Sequence, residues 1–184
     1  MFKRLLGLGR DSNREVTDAL YGQIVAAARQ PAFYAEWEAP DTPLGRFELL
    51  SVHMFLFLHR SRAASPALRD AAQELTDEFF KDVDHSLREL GIGDMGVPKR
   101  MKKLAKMFYG RAESYGAALE AGDRSALAAA LARNVRPDLP GWKGAKPVAD
   151  YMLAAHALLK RQQDEALLAG RLEFPVAAAG EEAA

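Results

Sequence analysis

Four histidines, His53, His59, His85 and His156, and the carboxylates around the third are the side chains of this 184-residue chain whose types point to chemistry. Metal binding or general acid–base work is the chemistry to weigh. His53 and His59 stand six residues apart, about 240° around a helix, so a regular helix cannot aim both at one ion. His53 lies in a largely apolar stretch and reads as a satisfied core histidine. Glu78, Asp82, His85 and Glu89 recur at i, i+4, i+7 and i+11 and share one helical face. Asp82-Val83-Asp84-His85 also mimics the carboxylate-x-x-His half-motif of a di-iron bundle. That chemistry needs a second such half and two more inward carboxylates, and the chain has no convincing copy. The reading is a solvated acidic face with no metal, on which Asp84 and Arg88 make an i,i+4 pair.

Other catalytic devices are missing from the sequence. With no cysteine there is no disulfide, thiolate metal site or cysteine nucleophile. No serine sits in a nucleophile elbow. The glycines of Gly91-Ile92-Gly93-Asp94-Met95-Gly96 follow a helix and not a strand, so they form no phosphate loop or dinucleotide fingerprint. They permit a tight reversal between two helices, which Asp94 can hold by bonding nearby amides. No catalytic residue and no cofactor are expected.

Charge offers a different signal. From Glu74 to Asp94 the chain carries seven acids against Lys81 and Arg88; from Lys99 to Arg111 it carries six cations and no acid. Two opposed local fields in a chain of zero net charge fit a docking surface better than a catalytic pocket. Neutrality excludes a binder of polyanions over the whole surface. Any such contact must use the basic patch Lys99, Arg100, Lys102, Lys103 and Lys106, whose partners would be RNA phosphates, anionic lipid or an acidic protein. Base stacking needs aromatic residues on that face, where Tyr109 alone is well placed, so no sequence-specific nucleic acid is expected.

The elements that must carry these residues read as helices throughout. Thr17 suits the N-cap of a helix reaching Arg29, which Pro31 ends or kinks. Thr42-Pro43 starts the next, to about Arg62, whose segment from Leu49 to Leu58 is apolar almost all round, as in a central helix. Ser65-Pro66 opens a third, with Leu75, Phe79, Val83, Leu87 and Leu90 as its inner stripe and Gly91 as its left-handed stop. The basic helix follows Pro98, with Met101, Leu104, Phe108, Tyr115 and Leu119 on one side, and ends at Gly122. Asp123 caps a helix from Arg124 to Arg133, and a last one runs from about Val148 to Ala169. Apart from a weak run at Arg171 to Val176, nothing alternates as a strand does.

The predicted fold is all-α, a single-domain irregular bundle of about six to seven helices. Residues 1–12 are expected to be flexible or to lie on a membrane surface, 13–174 to form the helical domain, and 175–184 to be a disordered tail. No segment is long and apolar enough to span a bilayer.

Several segments in order resemble the ubiquinol-cytochrome c chaperone family, from roughly Tyr21 to Asn134. They are Arg29-Gln30-Pro31-Ala32-Phe33-Tyr34, Asp41-Thr42-Pro43-Leu44-Gly45-Arg46-Phe47-Glu48 with His53 after it, and Phe79-Phe80-Lys81-Asp82-Val83-Asp84 continuing to Leu87-Arg88-Glu89-Leu90-Gly91-Ile92-Gly93-Asp94. Val97-Pro98-Lys99, Phe108-Tyr109-Gly110-Arg111 and Ala132-Arg133-Asn134 complete the set. The resemblance implies a helical, non-enzymatic assembly chaperone that holds newly made cytochrome b for respiratory complex III, without binding haem itself. It implies a ribosome contact and a second assembly protein in mitochondrial relatives. In a bacterium it implies a protein at the cytoplasmic face of the inner membrane, the setting preferred here over the mitochondrial matrix.

A client rich in transmembrane helices exposes apolar surface and basic flanks, so its holder should present an apolar groove rimmed by acids. The acidic helix beside Phe33, Tyr34 and Trp37 can supply one, while the basic helix faces a membrane or ribosome. The expected interaction set is Phe33, Tyr34, Arg46, Asp82, Asp84, Arg88, Asp94, Lys99 and Arg111. Arg46, Arg88 and Arg111 have a second reading as partners of acids within the fold, and Phe33 as core. Two other functions remain open: an RNA or ribosome binder using residues 99–111, and a metal-dependent helical-bundle enzyme. The acidic-face reading expects no stoichiometric iron or manganese in protein purified from its host. Elemental analysis measures this, and one ion per chain would favour the enzyme instead.

Overall fold

The computed structural model describes residues 8–178, with side chains described from Arg14 onward. Eight helices follow one another: α1 (Leu8–Ala28), α2 (Pro31–Ala35), α3 (Pro43–Ser61), α4 (Pro66–Glu89), α5 (Val97–Glu120), α6 (Arg124–Val135), α7 (Ala145–Arg161) and α8 (Asp164–Leu168). Six are long and two are five-residue pieces, and no strand occurs among the described residues. The all-α fold expected from the sequence is the one observed.

Most start and stop signals act as read. The Thr42 hydroxyl accepts from the Gly45 amide at 3.1 Å, and Ser65 accepts from Leu68 at 3.4 Å, each ahead of a proline in the first turn. Asp123 caps α6 by accepting from Ala126 at 2.8 Å. Gly91, Gly122 and Gly170 take positive φ where a helix stops. At the first of these the Ile92 amide folds back to the Leu87 carbonyl at 3.2 Å, as a glycine-terminated helix end requires.

Three expectations give way. Thr17 does not start a helix, because α1 already begins at Leu8; Thr17 is buried mid-helix and its hydroxyl donates to Glu74 on α4 at 3.3 Å. The expected N-terminal segment therefore loses residues 8–12 to α1, and residues 1–7 lie outside the described residues. The last long helix breaks at Gln162, whose backbone turns extended, and resumes as α8. Arg60 secures the break by donating to the carbonyls of Leu159 and Gln162, at 3.0 and 2.8 Å, and to Asp164 at 2.7 Å.

The tail is the third. Residues 171–178 form no regular element and pair with no strand; three glutamines hold them instead. Gln23 accepts from the Leu172 amide and donates to the Gly170 carbonyl, at 2.7 and 2.6 Å. Gln162 exchanges two bonds with the backbone of Glu173, and Gln30 accepts from Ala177 and donates to the Pro175 carbonyl. Each amide side chain imitates a neighbouring strand's peptide group. Residues 175–178 are thus tied down, and of the expected disordered tail only 179–184 lies outside the described residues.

Helix α3 is the axis of the bundle, buried nearly continuously from Phe47 to Phe57 with α1, α4, α5, α6 and α7 packed around it. Backbone also meets backbone closely. A Cβ on Gly45, in the first turn of α3, would lie 1.9 Å from the Pro40 carbonyl oxygen, and one on Gly144 would lie 1.9 Å from that of Trp37. The latter oxygen also accepts from the Trp142 indole at 2.7 Å, clasping the link before α7 to the link before α3. We expect Gly45→Ala to destabilise the protein by about 1–3 kcal/mol, the usual cost of forcing atoms into a packed site. Urea denaturation measures it, and an unchanged midpoint would show that the Pro40 carbonyl yields freely.

Candidate functional site

Between the C-terminal end of α1, the link before α3, the start of α3 and the C-terminal half of α4 lies a groove of about 700 Å³. Its walls are apolar: Val25 from α1, Leu44, Phe47 and Leu50 from α3, and Val83 and Leu87 from α4. Leu90 and Leu104 extend the lining to the α4–α5 corner. Leu44 and Leu90 are 51% and 56% exposed, so the mouth offers apolar surface that the bundle itself does not cover.

The rim is mixed and not purely acidic. Asp41, Asp82 and Glu89 line it, but so do Arg29 and Arg46. Arg46 donates to Asp41 at 2.6 Å, a bond that holds the Asp41 carboxyl below and the Arg46 guanidinium above its ordinary range. Asp82 accepts from the Tyr21 phenol at 2.7 Å; burial first, then this bond, push the phenol far above its usual value and keep it a donor. Tyr34 is half-buried in the rim, and its hydroxyl donates to the Ala28 carbonyl at 3.0 Å. Tyr34, Arg46 and Asp82 of the expected set thus meet at one groove.

Phe33 does not join them. It is fully buried, edge-on to Trp37, His53 and Tyr151 at centroid distances of 5.1, 5.6 and 4.9 Å, and is core and not contact surface. Trp37 is buried with it. His53 is the core histidine its setting suggested: Nδ1 donates to the Leu49 carbonyl and Nε2 accepts from Tyr151, both at 2.8 Å, and burial lowers its pKa to about 4.

Arg111 is the second correction. It turns inward, and its Nη2 lies 2.7 Å from Oε1 of Glu48 on α3, with side chains 12% and 2% exposed. Its place was legible, since Phe108, Arg111 and Tyr115 fall at i, i+3 and i+7 and the two aromatics are buried. Lys99, Arg100, Lys102, Lys103 and Lys106 are all exposed, and none is in an ion pair among the described residues.

Around the corner, Arg88 bridges Asp84, at 2.7 Å, and Asp94. Asp94 therefore holds the turn through Arg88 and not by bonding nearby amides. His85 lies 3.2 Å from Glu89 on the solvated face. Among the described residues no three histidine or acidic side chains converge as a metal site would require. Asp84, Arg88 and Asp94 thus form one surface network beside the groove, and Lys99 belongs to the basic face.

The described residues thus form an all-helical bundle with an uncovered apolar groove. The model of the family described as ubiquinol-cytochrome C chaperone matches residues 35–174, and the chain belongs to that family of complex III assembly chaperones. A solved structure described as the Cbp3 homolog from Brucella abortus is similar at 56% identity, covering 96% of this chain and 98% of that one, with a TM-score of 0.89. A search of curated proteins gives no match.

Burial pushes the Glu48 carboxyl up to about 7 against the opposing pull of Arg111. A carboxyl held above its ordinary 4.5 contributes stability that is complete below that value and is lost as pH rises through about 7. Arg111→Ala removes the opposing pull, raises the carboxyl further and makes the penalty of ionising it steeper. We therefore expect this substitution to cost more at about pH 8 than at about pH 5, reaching about 3–5 kcal/mol for a broken buried pair. Urea denaturation at the two pH values checks it; a cost independent of pH would show that the two groups are uncoupled.

Proposed function

We propose that this chaperone holds newly made cytochrome b by seating one of its unassembled transmembrane segments in the groove between α1, α3 and α4. The observation that carries the reading is the groove itself, about 700 Å³ of largely apolar wall with leucines exposed at its mouth. A membrane segment outside its bilayer needs apolar cover, and a helix laid in a groove obtains it without chemistry. Asp82 and Glu89 suit the basic flanks of such a segment, while the Asp41–Arg46 pair keeps the opposite rim neutral. On this reading the protein has no catalytic step and carries no cofactor. It acts where cytochrome b enters the membrane, at the inner face of a bacterial inner membrane.

The test is capture of cytochrome b by tagged protein from its own host in mild detergent. Leu44→Asp places a charge at the mouth on a side chain that is already half exposed, so the fold is spared. Losing one buried leucine contact, about 1.5–3 kcal/mol, should reduce capture roughly tenfold or more. Undiminished capture by this variant would sink the reading.

A further inference from the structure

The turn between α4 and α5 carries apolar side chains that stand open to solvent. Met95 is 96% exposed and Leu90 56%, with Ile92 half-buried between them. The five cations, in no ion pair among the described residues, begin four residues beyond Met95 and occupy the first turns of α5, where Lys99, Lys102, Lys103 and Lys106 recur at helical spacing on one outer face. Arg100 reaches back over the turn, its guanidinium close to Gly96. The nearest acid in the turn, Asp94, is already engaged by Arg88.

We propose that this corner is a docking tip for anionic phospholipid, with Met95 and Leu90 entering the acyl boundary and the α5 cations resting on the headgroups. Charge complementarity selects an anionic partner, and the apolar apex selects a bilayer over a nucleic acid. A phosphate backbone offers Met95 nothing to bury it, and the cationic face has only Tyr109 for base stacking. Cations beside an apolar insertion are the two signals that stable attachment to a membrane surface requires. Leu90 and Leu104 also line the groove, so docking would turn its mouth toward the bilayer. That last consequence rests on the proposed chaperone reading; lipid attachment itself does not.

The experiment is sedimentation of the full chain with vesicles of phosphatidylcholine alone and of phosphatidylcholine mixed with phosphatidylglycerol. Binding is expected only to the mixed vesicles and should weaken as salt rises. Lys102→Gln with Lys103→Gln should lower partitioning on the order of twentyfold, about fivefold for each cation. Met95→Asp should lower it about tenfold with every cation in place, and Met95→Gln should lower it less. These side chains are all exposed, and circular dichroism verifies the fold of each variant.

Equal binding to both vesicle types, indifference to Met95→Asp, or binding that the α5 substitutions leave intact overturns the proposal. So does tight binding of an RNA oligonucleotide that depends on Lys102 and Lys103 but not on Met95, which would make the face a nucleic-acid surface. Leu44→Asp should bind vesicles normally. A native chain that binds vesicles through the tip yet captures no cytochrome b would refute the proposed seating of that client and leave this one standing.

Discussion

Helix α3 is surrounded on every side, so a polar group it carries into that interior is costly unless it finds a partner. Of its buried polar side chains, the Ser51 hydroxyl is left without one among the described residues. An unpartnered buried polar group costs about 1–3 kcal/mol, a large fraction of what a domain this size can spare. Glu48 meets Arg111 of α5, and His53 meets its own Leu49 carbonyl and Tyr151 of α7. Ser61 bonds the Phe57 carbonyl, and Arg60 leaves the end of α3 to secure the break between α7 and α8. These directional contacts fix how α5 and α7 are rotated around the axis, which apolar packing alone leaves loosely specified.

The irregular parts are held by the same economy of donors and acceptors. Residues 171–178 have no strand to pair with, so glutamines from α1, the link before α2 and the end of α7 satisfy their peptides. The Trp37 carbonyl accepts from Trp142 where Gly144 allows close approach. With these links clasped, Phe33, Trp37 and Tyr151 pack edge to face in the core beside them.

On the proposed reading, function rests on two surfaces that meet at the α4–α5 corner. One wall of the groove is the C-terminal half of α4; the other side of the corner is the cationic face of α5. A membrane-protein client and an anionic bilayer make opposite electrostatic demands, and the hairpin keeps the corresponding fields apart by placing each on its own helix. Arg88, bridging Asp84 and Asp94, offsets one of their two negative charges at the boundary between those fields.

The local features were determined by the sequence alone, because they depend on residues within a turn of one another. Thr42-Pro43, Ser65-Pro66 and Asp123 start helices, Gly91 and Gly122 stop them, and the apolar circumference from Leu49 to Leu58 marks the central helix. The segregated charges were equally plain, as were the ordered motifs that pointed to the family. Tertiary structure decided what depends on distant partners. Phe33 went to the core because Tyr151 and Trp37 close over it, and Arg111 went inward because Glu48 waits on another helix. The tail was ordered by glutamines up to about 150 residues away in the chain, a separation over which periodicity carries no signal. A sequence records which side chains need burial or a partner; only the packed chain settles which of them obtains it, because that choice is made among groups brought together by folding.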